Sequence, residues 1–267
     1  AKVPVLLMDA NAQSLTKSVN FITKLLDKWV TQNKISSEER EEVLSARLKT
    51  TTNLQDFQNT EFVIEAATEN TVLKQDIFKQ LSLVTSANAA KNPILATNTS
   101  SISITLLASQ TLNPQNVVGM HFMNPVPVMK LVEIIRGLQT SDETYERTIT
   151  LAKAMNKTTT LSKDSPGFIA NRILMPYINE AIQCLHEGIG TVEDIDETMR
   201  GGTNVPMGPL TLADFIGLDT CLAIMRVLYN EFSDSKYRPS PLLIKMVEAG
   251  WLGKKTGKGF YTYNETK

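Results

Sequence analysis

Over the first 160 residues, short apolar runs alternate with longer amphipathic stretches, and after Pro166 the runs stop. That alternation constrains the fold more than any single motif. The runs "VPVLLMDA" (3–10), "TEFVIEAAT" (60–68), "PILATNTS" (93–100), "NVVGMHFM" (116–123) and "LVEIIRG" (131–137) read as buried strands, with "LKTTTNL" and "TTTLS" as two more. They are too short for core helices and too apolar for loops. Between them, residues 12–35 place Leu15, Val19, Ile22, Leu25, Leu26, Trp29 and Val30 at helical spacing. Residues 36–48 open on Ser36 and Ser37 followed by glutamates, the signature of a capped helix start. Further helices are expected over 70–86, 103–110 and 141–157, the last capped by Ser141. Strands alternating with helices predict an α/β fold with a mostly parallel sheet. From "PGFIANRILMPYINEAIQCLHEG" onward the pattern is helical, with no strand before "FYTY" and a long, largely apolar stretch over 208–232. A boundary near residues 163–166 follows, between an α/β part and an all-α part.

Bulk properties exclude several classes. With 27 basic and 28 acidic residues the net charge is -1, which does not suit a general nucleic-acid binder. Cys184 and Cys221 are the only cysteines, without a CxxC or a Cys/His cluster, so neither a zinc site nor a disulfide framework is expected. An intracellular, soluble protein follows, with cytosol, mitochondrial matrix and peroxisome not distinguished. No apolar run approaches the roughly 18 residues of a membrane span.

In an open α/β sheet, ligands sit beyond the carboxyl ends of the strands. Asp9, Glu69, Asn98 with Ser100, and His121 all fall at such ends. His121 closes one apolar run and Glu133 lies in the next, across "NPVP", whose prolines rigidify the return. Neighbouring strands could bring the two side chains together. A carboxylate beside an imidazole fixes its tautomer and stabilises the imidazolium, which makes a general acid/base. Spacing alone leaves open that Glu133 only neutralises a charge. It also leaves Asp9 and Ser100 as ordinary caps, Asn171 as a solvent-facing helix residue, and Lys74 and Lys255 as solvated charges. His186, near a helix end, reads as structural.

"NTSSISIT", "GMHFMNPVPVMKLVEII", "PGFIANRILMPYINEA", "GTNVPMGPLTLADFIGLD" and "LGKKTGKGFYTY" together resemble the 3-hydroxyacyl-CoA dehydrogenase family, nearest its 3-hydroxybutyryl-CoA branch, from Val3 to Tyr263. The resemblance implies an N-terminally truncated Rossmann-like domain over 1–164 that binds NAD, and an all-α substrate and dimerisation domain over 165–267. It implies reversible NAD-dependent oxidation of short-chain (S)-3-hydroxyacyl-CoA in fatty-acid metabolism, in a homodimer, with no metal, nucleic acid or membrane partner. His121 then resembles the general base, and Glu133 its carboxylate partner. Ser100 and Asn171 match residues that hold the reacting oxygen, substrate and nicotinamide. Asn124 matches an asparagine near cofactor and base, and Asp9 the acidic residue on the adenosine ribose. Glu69 and Lys74 match the nicotinamide-ribose side, and Lys255 a further cofactor contact.

Two departures stand out. The family opens with a strand, a glycine-rich turn and a helix; no GxGxxG occurs here, and only eight residues precede Asp9. The chain given thus reads as starting at the second strand, so that the central strand of the sheet is missing and its neighbours lose a ladder partner. Relatives also carry a serine and a lysine for CoA where this chain has Leu25 and Gln32, with Lys28 and Lys34 nearby. The alternative reading is a family member without catalysis, serving as an acyl-CoA binder or a structural subunit.

Overall fold

The computed structural model describes residues 2–86 and 92–263. These fall into two compact units. The first takes in residues up to Thr99 together with Ile104–Leu161, and the second takes in Ser100–Ser103 and everything from Ser162.

The first unit begins with β1 (Val5–Met8), α1 (Ala12–Thr31), α2 (Ser37–Glu42) and β2 (Leu48–Thr51). Asn11 caps α1 by accepting from the amides of Gln13 and Ser14, and the expected Ser36 cap accepts from Glu39 N–H. The helix expected over 36–48 is shorter than its pattern: after Glu42 the chain makes a π-helical turn, Val43–Arg47, and enters β2. Then follow β3 (Phe62–Glu65), α3 (Thr71–Ser86), β4 (Ile94–Thr97), α4 (Ile104–Ala108), β5 (Val117–Phe122), β6 (Leu131–Arg136), α5 (Asp142–Ala154) and β7 (Thr158–Lys163). Ser141 caps α5 through Thr144 N–H, as its position predicts.

Among the described residues the strands form two sheets, β1-β2 and β3-β4-β5-β6-β7. Pairing is parallel from β1 to β2 and from β3 through β5, and antiparallel between β5 and β6. Among the described residues β1 pairs with β2 alone and β3 with β4 alone. The sheet core is apolar: Ile94, Ala96, Val118, Met120, Val132 and Ile134 are fully buried.

The second unit is helical: α6 (Ala170–His186), α7 (Val192–Thr203), α8 (Pro209–Ile216), α9 (Leu218–Phe232) and α10 (Pro241–Glu248). The apolar stretch over 208–232 is two helices, because Gly217 takes φ +102° and breaks the hydrogen-bond ladder between them. "FYTY" is not a strand: among the described residues it forms one isolated bridge, Thr262 with Lys258. Two of its amides are met by a side chain instead, while Tyr263 N–H donates to the Gly257 carbonyl. Buried Asp214 of α8 accepts from Phe260 N–H, Tyr261 N–H and the Tyr263 hydroxyl. Burial pushes the Asp214 carboxyl up, and these hydrogen bonds oppose the rise. Ile178, Ile182, Leu210, Leu218, Leu222 and Leu228 fill the core of this unit.

Candidate active site

His121 and Glu133 face each other across the β5–β6 ladder. Residues directly opposite in a ladder point to the same face of the sheet. His121 Nδ1 lies 2.8 Å from Glu133 Oε2, and both residues are buried, at 7% and 1% exposure. An ionised carboxylate can only accept, so against one Nδ1 carries a ring proton, and in the neutral ring of that tautomer Nε2 is the basic nitrogen. The turn that returns the chain, after the cis Asn124–Pro125 bond, is clasped by Lys157, which donates to the carbonyls of Val126 at 2.5 Å and Met129 at 2.7 Å. Asn98, at the end of β4, accepts from Phe122 N–H at 2.9 Å and ties the histidine strand to the neighbouring strand end.

The end of β3 carries a denser network. Lys74 Nζ donates to Glu65 Oε1 at 2.7 Å and to the Ala67 carbonyl at 3.0 Å, and stands 3.7 Å from Glu69 Oε2. Lys74, matched above to a cofactor contact, shows only 1% of its side chain, with its amine turned inward; Glu69 shows 40% of its own. The Thr99 hydroxyl donates to Glu69 Oε1 at 2.6 Å. Asp9, at the end of β1, is exposed and accepts from Asn11 N–H at 2.8 Å, so its carboxylate supports the turn into α1. Asn124 is exposed beyond the end of β5.

Three expected residues, Ser100, Asn171 and Lys255, lie in the second unit. Asn171 is 8% exposed, near the start of α6, and its side-chain amide donates to the Ser100 carbonyl at 3.3 Å. Lys255 is held by both Asp219 carboxylate oxygens, at 2.6 and 2.7 Å. His186 is exposed in the last turn of α6. On α1, Gln32 is the C-terminal cap, and Lys28 and Lys34 are exposed nearby. Residue patterns did not single out Glu65, Thr97 or Thr99. The one available signal was a carboxylate ending an otherwise apolar strand, "FVIE".

Mostly parallel strand pairing, an exposed carboxylate beyond a strand of each sheet and a buried imidazole–carboxylate pair fit one class, an α/β enzyme of the dinucleotide-binding kind. Residues 1–165 match the family model described as 3-hydroxyacyl-CoA dehydrogenase, NAD binding domain, and residues 167–263 match its C-terminal domain. The chain is 51% identical over 259 residues to a probable 3-hydroxybutyryl-CoA dehydrogenase of Deinococcus radiodurans, covering 97% of this chain and 91% of that protein. It is 48% identical to the 3-hydroxybutyryl-CoA dehydrogenase of Bradyrhizobium diazoefficiens, covering 98% and 88%. The crystal structure of (S)-3-hydroxybutyryl-CoA dehydrogenase from Ralstonia eutropha superposes with a TM-score of 0.93 at 48% identity, covering 98% of this chain and 91% of that one. The chain belongs to the 3-hydroxyacyl-CoA dehydrogenase family.

Proposed function

We propose that this chain interconverts short-chain (S)-3-hydroxyacyl-CoA, such as 3-hydroxybutyryl-CoA, and the 3-ketoacyl-CoA, using NAD. The buried His121–Glu133 pair is the observation that carries the reading. Asp9 and Glu69 would hold NAD, which would supply a hydride acceptor for C3 of the substrate. His121 takes the hydroxyl proton at Nε2, and Glu133 stabilises the imidazolium through Nδ1–H. In the reductive direction the same Nε2–H returns the proton to the ketone oxygen. Ser100 and Asn171, joined by their hydrogen bond, hold the reacting oxygen.

The residues fit the cofactor. Asp9 and Glu69 are exposed carboxylates at strand ends, and a carboxylate accepts well from ribose hydroxyls. The charge of Asp9 would also repel a 2′-phosphate and favour NAD over NADP. Lys74 acts from behind Glu69, while Asn124 and Lys255 contribute at the edge of the cofactor site. Residues 1–164 serve as the NAD-binding domain and 165–267 as the substrate and dimerisation domain. A homodimer through the helical unit has support in its large exposed apolar side chains, Ile173, Ile189 and Phe215. No helix among the described residues is long and apolar enough to cross a membrane.

The test is NADH oxidation with acetoacetyl-CoA by this chain and by His121→Ala. Turnover should fall by about 10²–10⁴-fold in the variant, with its melting temperature near that of the wild type. Equal turnover in both would refute the assignment.

A further inference from the structure

Around the end of β3 there is one cation and two carboxylates. Lys74 has 1% of its side chain exposed, and an ammonium so far from water needs a close, hydrogen-bonded counter-charge. Glu65, with 3% side-chain exposure, supplies it at 2.7 Å, while Glu69 stands 1 Å further off and is much wetter. Glu65 also closes a ring of contacts. Its Oε1 accepts from Ala67 N–H at 2.5 Å, and its Oε2 accepts from the Thr97 hydroxyl at 2.7 Å. Thr97 Oγ1 in turn accepts from Thr99 N–H at 3.2 Å, and the Thr99 hydroxyl reaches Glu69 at 2.6 Å. The ring thus runs from Glu65 through Thr97, Thr99 and Glu69 back to Lys74. It links the segments that follow β3 and β4, the first carrying Glu69 and the second Asn98.

We propose that Glu65 is a positioning residue for the cofactor: by neutralising Lys74 from below, it keeps Glu69 from being drawn inward and so leaves that carboxylate for the ribose of NAD. The inference rests on the reading of Glu69 as a ribose ligand. Without the Glu65 charge, Glu69 is the carboxylate next nearest Lys74 among the described residues, and closing that gap pulls Glu69 away from Thr99 and from the ligand. Lys74 is therefore harmful to cofactor binding when Glu65 is neutral, and removing both charges should undo the damage.

The experiment compares the full chain with Glu65→Gln, Glu65→Gln/Lys74→Met and Glu69→Gln, reading KM for NADH, kcat with acetoacetyl-CoA and the melting temperature. Glutamine keeps an oxygen for Ala67 N–H, and the Thr97 hydroxyl can turn to suit its amide. Loss of a hydrogen bond between a charged group and a ribose hydroxyl predicts a roughly 10- to 100-fold rise in KM for NADH in Glu65→Gln, with kcat within about threefold. The double variant should recover most of that rise, which a merely structural role for Glu65 does not predict. If Glu65→Gln does not fold, the double variant decides alone: a KM well below that of Glu69→Gln supports the proposal, and a KM as high as that of Glu69→Gln overturns it. A lower melting temperature with unchanged KM in Glu65→Gln overturns it as well. If Glu69→Gln leaves KM for NADH unaltered, the ribose reading of Glu69 fails and the inference falls with it, whereas a raised KM in Glu69→Gln alone overturns only the role of Glu65.

Discussion

Replacing Glu133 by glutamine tests the chemistry with little change of shape. The carboxylate is 1% exposed and lies 2.8 Å from His121 Nδ1, the length of a charge-assisted hydrogen bond. Glutamine can meet the ring in two ways. Its carbonyl oxygen can accept from Nδ1–H, which keeps the tautomer and loses the charge. Its amide can donate to Nδ1, which moves the ring proton to Nε2 and removes the base. In the first case the loss follows from Coulomb's law. At a charge separation of about 4 Å and an effective dielectric of about 20, the carboxylate favours a full imidazolium by about 4 kcal/mol. A transition state with the proton half transferred feels about half of that, or roughly 30-fold in rate. The wrong tautomer extends the loss towards about 10⁴-fold. Glu133→Gln should therefore lower kcat for acetoacetyl-CoA by about 30- to 10⁴-fold, with KM for NADH within about twofold of wild type. The assay is steady-state NADH absorbance, beside thermal unfolding of the same samples. A kcat within twofold of wild type in a natively folded variant would show that the pair does no proton chemistry.

Three further outcomes are expected. Lys157→Met removes two hydrogen bonds from a charged donor to the turn between β5 and β6, at a cost of about 2–4 kcal/mol; calorimetry should register it, and a melting temperature equal to wild type refutes the clasp. In Gly259→Ala the new Cβ would collide with Asp214 Oδ1, so the 260–263 segment loses its carboxylate acceptor. A cost of about 3 kcal/mol or more, some 6–12 °C in melting temperature, is expected, and a shift below 2 °C contradicts it. Burial and the charge of Asp219 push the Cys221 thiol up to about 12, so at pH 8 a thiol reagent should modify partly exposed Cys184 alone. Cys221 should react only after unfolding, and two thiols titrating in the native protein contradict this.

Elements with a strong local signal were legible from the residues. The apolar strand runs, the seven apolar positions of α1 and the Ser36 and Ser141 caps each concern neighbours along the chain. The failures have local causes too. The pattern over 36–48 continued past the place where the backbone turns π-helical, since helical periodicity does not report the hydrogen-bond register. "FYTY" has the composition of a strand and lacks a ladder partner; what meets two of its amides is Asp214, some 46 residues earlier in the chain.

The site divides along the same line. His121 and Glu133 stood out in the sequence as a histidine and a carboxylate on consecutive strands. Whether they meet depended on register, because a one-residue slip would turn the two side chains to opposite faces. Glu65 and Lys74 were nine residues apart in a strand and a helix, and the pattern of each looked ordinary. Which carboxylate Lys74 takes depends on burial, a property of the packed chain. The sequence by itself determined the elements, the order of the two parts and the stock of reactive groups, since propensity and periodicity act over a few residues. Only the tertiary structure decided which charges pair out of water and which residues face each other across the strands, because desolvation and ladder register join groups that lie far apart along the chain.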